Sequence, residues 1–208
     1  VYLCNLATGA VVRKFSSPTP NGEFGSSVAL SAEWAVIGAY LDGNGDGAVY
    51  VYRHATTAPP LRIAAPAPAA GSNFGFRVAV QNDLVIAGAF ASDLAAADAG
   101  AVFVFSSAGQ LLTSITDPTP SATHLFGTSL AVNGTEVLVG ASHHGGQVGR
   151  VNRFDLRTGR ARAPWWRRTV RPGTFLARWW RRVATWRSWE RRGTMIPGRM
   201  RGRRMCLI

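Results

Sequence analysis

The chain has 208 residues, 47% hydrophobic and 16% charged, enough apolar material for a buried core but with no run of about 18 apolar residues that would cross a membrane as a helix. Its formal charge of +12 suggests a nucleic-acid partner until it is mapped: residues 1–159 carry 8 Lys+Arg and 10 Asp+Glu, net −2, whereas residues 160–208 carry 15 Arg and one acid, Glu190, net +14. The basic excess therefore belongs to the last 49 residues, which also hold six of the seven Trp. Cys4 and Cys206 make neither a disulfide framework nor a metal-type spacing, and the apolar surroundings of Cys4 predict a small buried hydrophobe. Val1-Tyr2-Leu3 already reads as strand, with no initiator Met, basic n-region or signal h-region, so the chain is expected to begin inside a structure.

In chain order the elements repeat. Phe24-Gly25-Ser26-Ser27-Val28-Ala29-Leu30 leads into Trp34-Ala35-Val36-Ile37-Gly38-Ala39, then a Gly/Asp-rich turn, then Gly47-Ala48-Val49-Tyr50-Val51-Tyr52. The order returns as Phe74-Gly75, Leu84-Val85-Ile86-Ala87-Gly88-Ala89 and Gly100-Ala101-Val102-Phe103-Val104-Phe105, and again as Phe126-Gly127, Glu136-Val137-Leu138-Val139-Gly140-Ala141 and Gly149-Arg150-Val151-Asn152-Arg153-Phe154. The Phe-Gly pairs are 50 and 52 residues apart, and each follows a Pro-x-Pro connector: Pro18-Thr19-Pro20, Pro66-Ala67-Pro68 and Pro118-Thr119-Pro120. Asn5-Leu6-Ala7-Thr8-Gly9 is echoed by Asp155-Leu156-Arg157-Thr158-Gly159. A fixed period of this length signals a repeat architecture.

Each period holds four strand-like runs, near residues 26–31, 34–39, 48–53 and 60–65 in the first, the content of one propeller blade. The runs are apolar on both faces near their centres, as expected of a sheet sandwiched between two others. Gly25, Gly38, Gly75, Gly88, Gly127 and Gly140 are expected where backbones approach too closely for a side chain, and Phe24, Phe74 and Phe126 to fill the space between blades. These pairs, with Ala39, Ala89 and Ala141, form a structural signature and not a ligand site.

This succession resembles the FG-GAP repeat, which also builds the N-terminal propeller of integrin α-chains and many bacterial surface proteins. The resemblance covers residues 1–159. The third letter of Gly-Ala-Pro is replaced by Tyr40, Phe90 and Ser142, which is closer to the bacterial variants. It implies an all-β fold, a partial β-propeller of about three four-stranded antiparallel blades with an irregular C-terminal tail. The expected divisions are the end of a preceding blade and connector (1–23), repeats at 24–73, 74–125 and 126–159 (the last incomplete), and the Arg/Trp-rich tail at 160–208. Three blades are too few for a closed ring, so an open fragment of a larger ring is expected, with missing blades of the same parent chain as partners and exposed edges prone to aggregation.

Residues 160–208 carry none of the repeat pattern: Trp165-Trp166-Arg167-Arg168, Trp179-Trp180-Arg181-Arg182, Trp186-Arg187-Ser188-Trp189. A tail binding nucleic acid or membrane surfaces and a disordered basic extension are two readings. The third is a slipped reading frame. Joining the third base of each codon to the first two of the next turns Trp179-Trp180 into Val, Trp189-Glu190 into Gly, Met195-Ile196 into Asp and Met205-Cys206 into Val. With third bases chosen within degeneracy, Gly173 to Ile208 then reads D-V-F-G-S-V-V-A-A-G-x-D-V-A-V-V-G-A-P-G-D-D-D-S-G-S-D-A-G-A-A-Y-V-F-D. That is a full repeat, with its Phe at position 175, 49 residues after Phe126. The slip is placed near residues 159–163.

Asp42-Gly43-Asn44-Gly45-Asp46-Gly47 has the alternating oxygen side chains of a calcium loop, with Asp42, Asn44 and Asp46 as the ligand candidates. The resemblance argues against it: calcium-binding FG-GAP repeats place the loop between the Phe-Gly and Gly-Ala-Pro strands, where this chain has the short Ser31-Ala32-Glu33. Arg53 also stands where a twelfth-position Glu belongs, and the second repeat offers only Asp93 and Asp98. A Gly/Asn/Asp turn is the reading preferred. His143-His144 is read as an exposed polar turn. No catalytic residues and no cofactor are assigned. The expected role is a non-enzymatic scaffold binding an unidentified protein or glycan at the cell surface or outside the cell, as the resemblance implies. The alternatives are an accessory propeller of a secreted hydrolase and nucleic-acid binding through the tail.

Overall fold

The computed structural model describes residues 1–66 and 71–163. Among these residues fourteen strands run in chain order as antiparallel meanders. A two-stranded hairpin, β1 (Tyr2–Cys4) and β2 (Val11–Lys14), precedes three four-stranded sheets. The first comprises β3 (Ser27–Leu30), β4 (Trp34–Ala39), β5 (Ala48–Arg53) and β6 (Leu61–Ala64). The second comprises β7 (Phe74–Gln81), β8 (Leu84–Ala89), β9 (Ala101–Ser106) and β10 (Leu111–Thr116), and the third β11 (Phe126–Asn133), β12 (Glu136–Ala141), β13 (Arg150–Asp155) and β14 (Ala161–Arg162). Strand order equals sequence order in every sheet, the arrangement of propeller blades.

Period-two alternation makes each central strand contribute to two cores. From β5, Val49 and Val51 join Phe74, Val85, Ala87, Phe103 and Phe105 in the core between the first and second sheets. The other face of β5 sends Tyr50 and Tyr52 towards Phe15 of the N-terminal hairpin, where Phe24 also packs. Val102 and Val104 of β9 face Val137, Val139, Phe126 and Phe154 between the second and third sheets. Such strands have no polar face because they have no solvent face. The sheets are also pinned to each other by side chains: Trp34 Nε1 donates to Asp83 Oδ1 (2.9 Å), the Val78 N–H to Ser27 Oγ (3.0 Å), and Arg13 Nη1 to the Arg53 carbonyl (2.9 Å).

The Phe-Gly pair opens β7 and β11 as a β-bulge. Pairing with the next strand jumps from Phe74 to Arg77 and from Phe126 to Ser129, and the bulged glycines adopt φ +87° at Gly75 and +96° at Gly127, a region open to glycine. The bulge lays the peptide against the preceding blade, where Gly47 bridges Phe74 in parallel. Phe74 and Phe126 are fully buried, and each rests edge-on against aromatics of β9 or β13 in its own sheet. Phe24 is only half-buried, packing on Tyr50 and Tyr52.

Two differences from the sequence reading stand out. Cys4 is exposed, not buried: β1 turns Leu3 towards the first sheet and Tyr2 and Cys4 away from it, and no described sheet covers that outer face. The third sheet also extends past residue 159, because the hairpin turn at 155–160 repeats the one at 5–10. Asn5 Oδ1 accepts the N–H groups of Ala7 and Thr8 (2.9 and 3.1 Å), and Asp155 Oδ1 accepts those of Arg157 and Thr158 (both 3.0 Å). Gly9 and Gly159 close the two turns at φ +69° and +64°. The strand that follows, β14, has two residues where β2 and β6 have four. The remainder of the Arg/Trp tail, with the readings attached to it, lies outside the described residues.

Candidate functional site

The turns that follow β4, β8 and β12 emerge at the same end of their sheets and share one backbone plan. Three residues after the Gly-Ala pair, at Asp42, Ser92 and His144, a carbonyl accepts the N–H of the glycine that starts the next strand: Gly47 (2.8 Å), Gly100 (3.0 Å) and Gly149 (3.0 Å). In the third turn, His144–Gln147, the backbone is left-handed at Gly145 (φ 65°, ψ 38°) and Gly146 (φ 71°, ψ 46°).

In the first turn Asp42 points inwards and is 5% exposed. Its Oδ2 accepts the Tyr50 hydroxyl (2.7 Å) and Arg62 Nε (3.0 Å), and Thr19 Oγ1 of the connector lies 3.4 Å from the Tyr50 hydroxyl. Burial alone would raise the Asp42 carboxyl, but the hydrogen bonds from Tyr50 and Arg62 and the guanidinium charge outweigh it and hold the group below its ordinary value. Burial pushes the Tyr50 phenol up. Asn44 is exposed in a left-handed conformation (φ 64°), and Asp46 contributes its carbonyl, which accepts the Phe74 N–H (3.2 Å) and Ser72 Oγ (3.0 Å). The three calcium candidates thus have separate tasks: an internal ion pair, a turn conformation and a link to the next blade.

A carboxyl whose folded pKa lies below its unfolded value contributes stability above that unfolded value, near 4, and loses it as pH falls through the folded pKa. Denaturant midpoints measured from pH 7 down to pH 3 are therefore expected to fall towards acid, and Asp42→Asn to remove part of that slope. An identical slope in the variant would contradict the assignment. Asp155, held at about 2 by Arg162 and by the turn N–H groups, adds to the slope with the same sign. The Tyr50 phenol acts oppositely: its contribution is complete below about pH 10 and is lost above it.

A second polar cluster lies between the second and third sheets. Asp117, 2% exposed, accepts His124 Nδ1 on Oδ2 (3.1 Å) and the Thr119 N–H on Oδ1 (2.9 Å). The His124 and His144 rings lie 4.4 Å apart, and Arg150 Nη1 donates to Thr119 Oγ1 (3.0 Å) and His144 Nε2 (3.3 Å). The ligand atoms of Asp117, His124 and His144 fall within 4.8 Å of one another, a donor set that suits a divalent transition ion. The hydrogen bonding nevertheless describes a latch. Both Asp117 oxygens are engaged, and Arg150 Nη1 occupies His144 Nε2.

Sequence reading passed over Asp117 and His124 and left His144 as an exposed turn. The signal was available in the repeat: His144 occupies the position of Asp42, and Thr119 that of Thr19, so each connector threonine meets the third residue after Gly-Ala.

Stacked four-stranded meanders, the second and third opened by an aromatic–glycine bulge against the sheet before them, define a repeat protein of the β-propeller class. Residues 18–52 and 61–105 match the family model described as FG-GAP repeat. The chain thus carries FG-GAP repeats over those residues. No curated protein matches it.

Proposed function

We propose that this protein is a non-enzymatic propeller scaffold that binds a protein or glycan at the cell surface or outside the cell, through the turns at the end of the blades that carries Asp42, Ser92 and His144. The observation that carries this reading is a contrast between strands and turns. The strands repeat, whereas the turns after β4, β8 and β12 differ in every blade and each lifts one aliphatic side chain into solvent: Leu41 (38% exposed), Leu94 (50%) and Val148 (85%). A rigid scaffold with divergent loops at one end is a common basis of recognition.

The buried polar side chains of the described residues support the same view. Asp42, Ser72, Ser92 and Asp117 are all buried, and each serves a local hydrogen bond within or beside a turn, so no reaction and no cofactor is assigned to them. Among the described residues no helix is long and apolar enough to cross a membrane. The test is to probe the full chain against a glycan array and a panel of cell-surface ectodomains, with and without chelator. Saturable binding that persists in chelator and is lost in the triple variant Leu41→Ser, Leu94→Ser, Val148→Ser is expected. Absence of binding in both panels, or binding indifferent to the triple change, would overturn the proposal.

A further inference from the structure

We propose that the face of the β11–β14 sheet left uncovered by the described residues is the seat of a further blade's Phe-Gly bulge, and that the blade fitting it is the one spelled by the shifted reading frame of codons 173–208. The occupied seams define what such a seat requires. Between the first and second sheets, a Cβ on Gly38 would overlap the Gly75 carbonyl oxygen and one on Gly47 the Phe74 carbonyl, while one on Gly75 would come 2.5 Å from the Ala48 carbonyl. The seam between the second and third sheets repeats this: Gly88 faces the Gly127 carbonyl, Gly100 faces the Phe126 carbonyl, and a Cβ on Gly127 would come 2.9 Å from the Ala101 carbonyl. Each seam is closed by a backbone hydrogen bond from the incoming phenylalanine, Phe74 N–H to the Asp46 carbonyl (3.2 Å) and Phe126 N–H to the Ala99 carbonyl (2.8 Å).

The third sheet keeps the same two glycines, Gly140 and Gly149, with no incoming backbone among the described residues. The three atoms nearest a Cβ on Gly140 all belong to Ser129 of its own sheet, and the atoms nearest one on Gly149 are the Ser142 and Ala141 carbonyls at 3.5 and 3.8 Å. A hollow of about 400 Å³ lies there, lined by Thr128, Ser129, Gly140, Gly149, Arg150 and Val151 among others. Apolar residues mark the same face. Leu138 and Val151 are 43% and 65% exposed, whereas their repeat equivalents, Val36 and Ile86 for the first and Val49 and Val102 for the second, are all at 0%. The third sheet therefore carries both the apolar surface and the glycine gaps of an occupied seam.

The occupant follows from the codons. With third bases chosen within degeneracy, the shifted frame reads Phe-Gly-Ser-Val at the repeat spacing, then Val-Val-Gly-Ala-Pro, then Gly-Ala-Ala-Tyr-Val-Phe, which is every element that makes β7 and β11 dock. The point of slippage also agrees with the fold. The 155–160 turn is built like the 5–10 turn, so the written frame still encodes a blade there, and the slip lies beyond it.

The experiment compares the full chain as written with the same chain carrying the shifted-frame residues from the slip onwards. In the restored chain, Gly140→Ala and, separately, Leu138→Lys are expected to lower the melting temperature by about 5 °C or more, as Gly88→Ala does in both chains. In the chain as written the two changes are expected to move it by no more than about 1 °C. Tolerance of both changes in the restored chain would overturn the proposal, as would equal sensitivity in the chain as written, which would mean that its own residues cover the face. A restored chain that fails to unfold cooperatively, or genomic DNA that reads through codons 155–165 in the written frame, would overturn it too.

Discussion

Gly88→Val is expected to cost about 3 kcal/mol or more, enough to leave little folded protein. The residue is the penultimate one of β8, and the added Cβ would overlap the Gly127 carbonyl oxygen. That oxygen belongs to the backbone of a bulge whose Phe126 is fully buried and whose N–H is bonded to Ala99, so it cannot swing aside as a flexible side chain would. The β propensity of valine is favourable and does not help, because the obstacle is a second sheet and not the strand's own conformation. Urea unfolding of the purified chain is the measurement. A midpoint close to that of the parent protein would show that neighbouring blades can move apart, and would remove the close-approach account of the glycine pattern.

Phe126→Ala is the second large effect, about 3–5 kcal/mol. Phe126 is at 0% exposure in the core between the second and third sheets, edge-on to Phe154 at 5.6 Å. Its removal leaves a cavity walled by Ile86, Val102 and Val139, residues on strands whose registers are fixed on both sides and which cannot collapse into the space. Phe24→Ala makes the internal comparison: the same repeat position, half-buried, so the loss is expected to be distinctly smaller. Equal losses at the two positions would mean that burial between sheets is not what gives the aromatic its effect.

The blades were legible from the chain alone because three physical signals coincide at one period. Apolar runs such as Val49–Tyr52 have no polar face, glycines recur at fixed offsets within them, and proline connectors separate them. The polar sites were less legible. Asp42 in D-x-N-x-D-G context carries the sequence pattern of a metal loop, and only the fold shows Tyr50 and Arg62 arriving at its carboxylate from two neighbouring strands. The pairing of Asp117 with His124 depends on how a proline-rich connector folds back between sheets, which strand periodicity does not encode. Burial of Cys4 was misjudged for a related reason. An apolar run predicts that a strand has two covered faces, but whether the second cover exists is a property of the neighbouring segment.

The parallel bridge between Gly47 and Phe74 has a thermodynamic consequence. Because the first and second blades each take a backbone cap of their turn from the blade that follows, neither is a self-sufficient unit. The stability of the array is a sum of interfaces, each linking nearest neighbours. Among the described residues the second sheet is the one with a four-stranded neighbour on both faces, and it is expected to be the last to loosen. Such an array resists local damage at its middle and is governed by its ends.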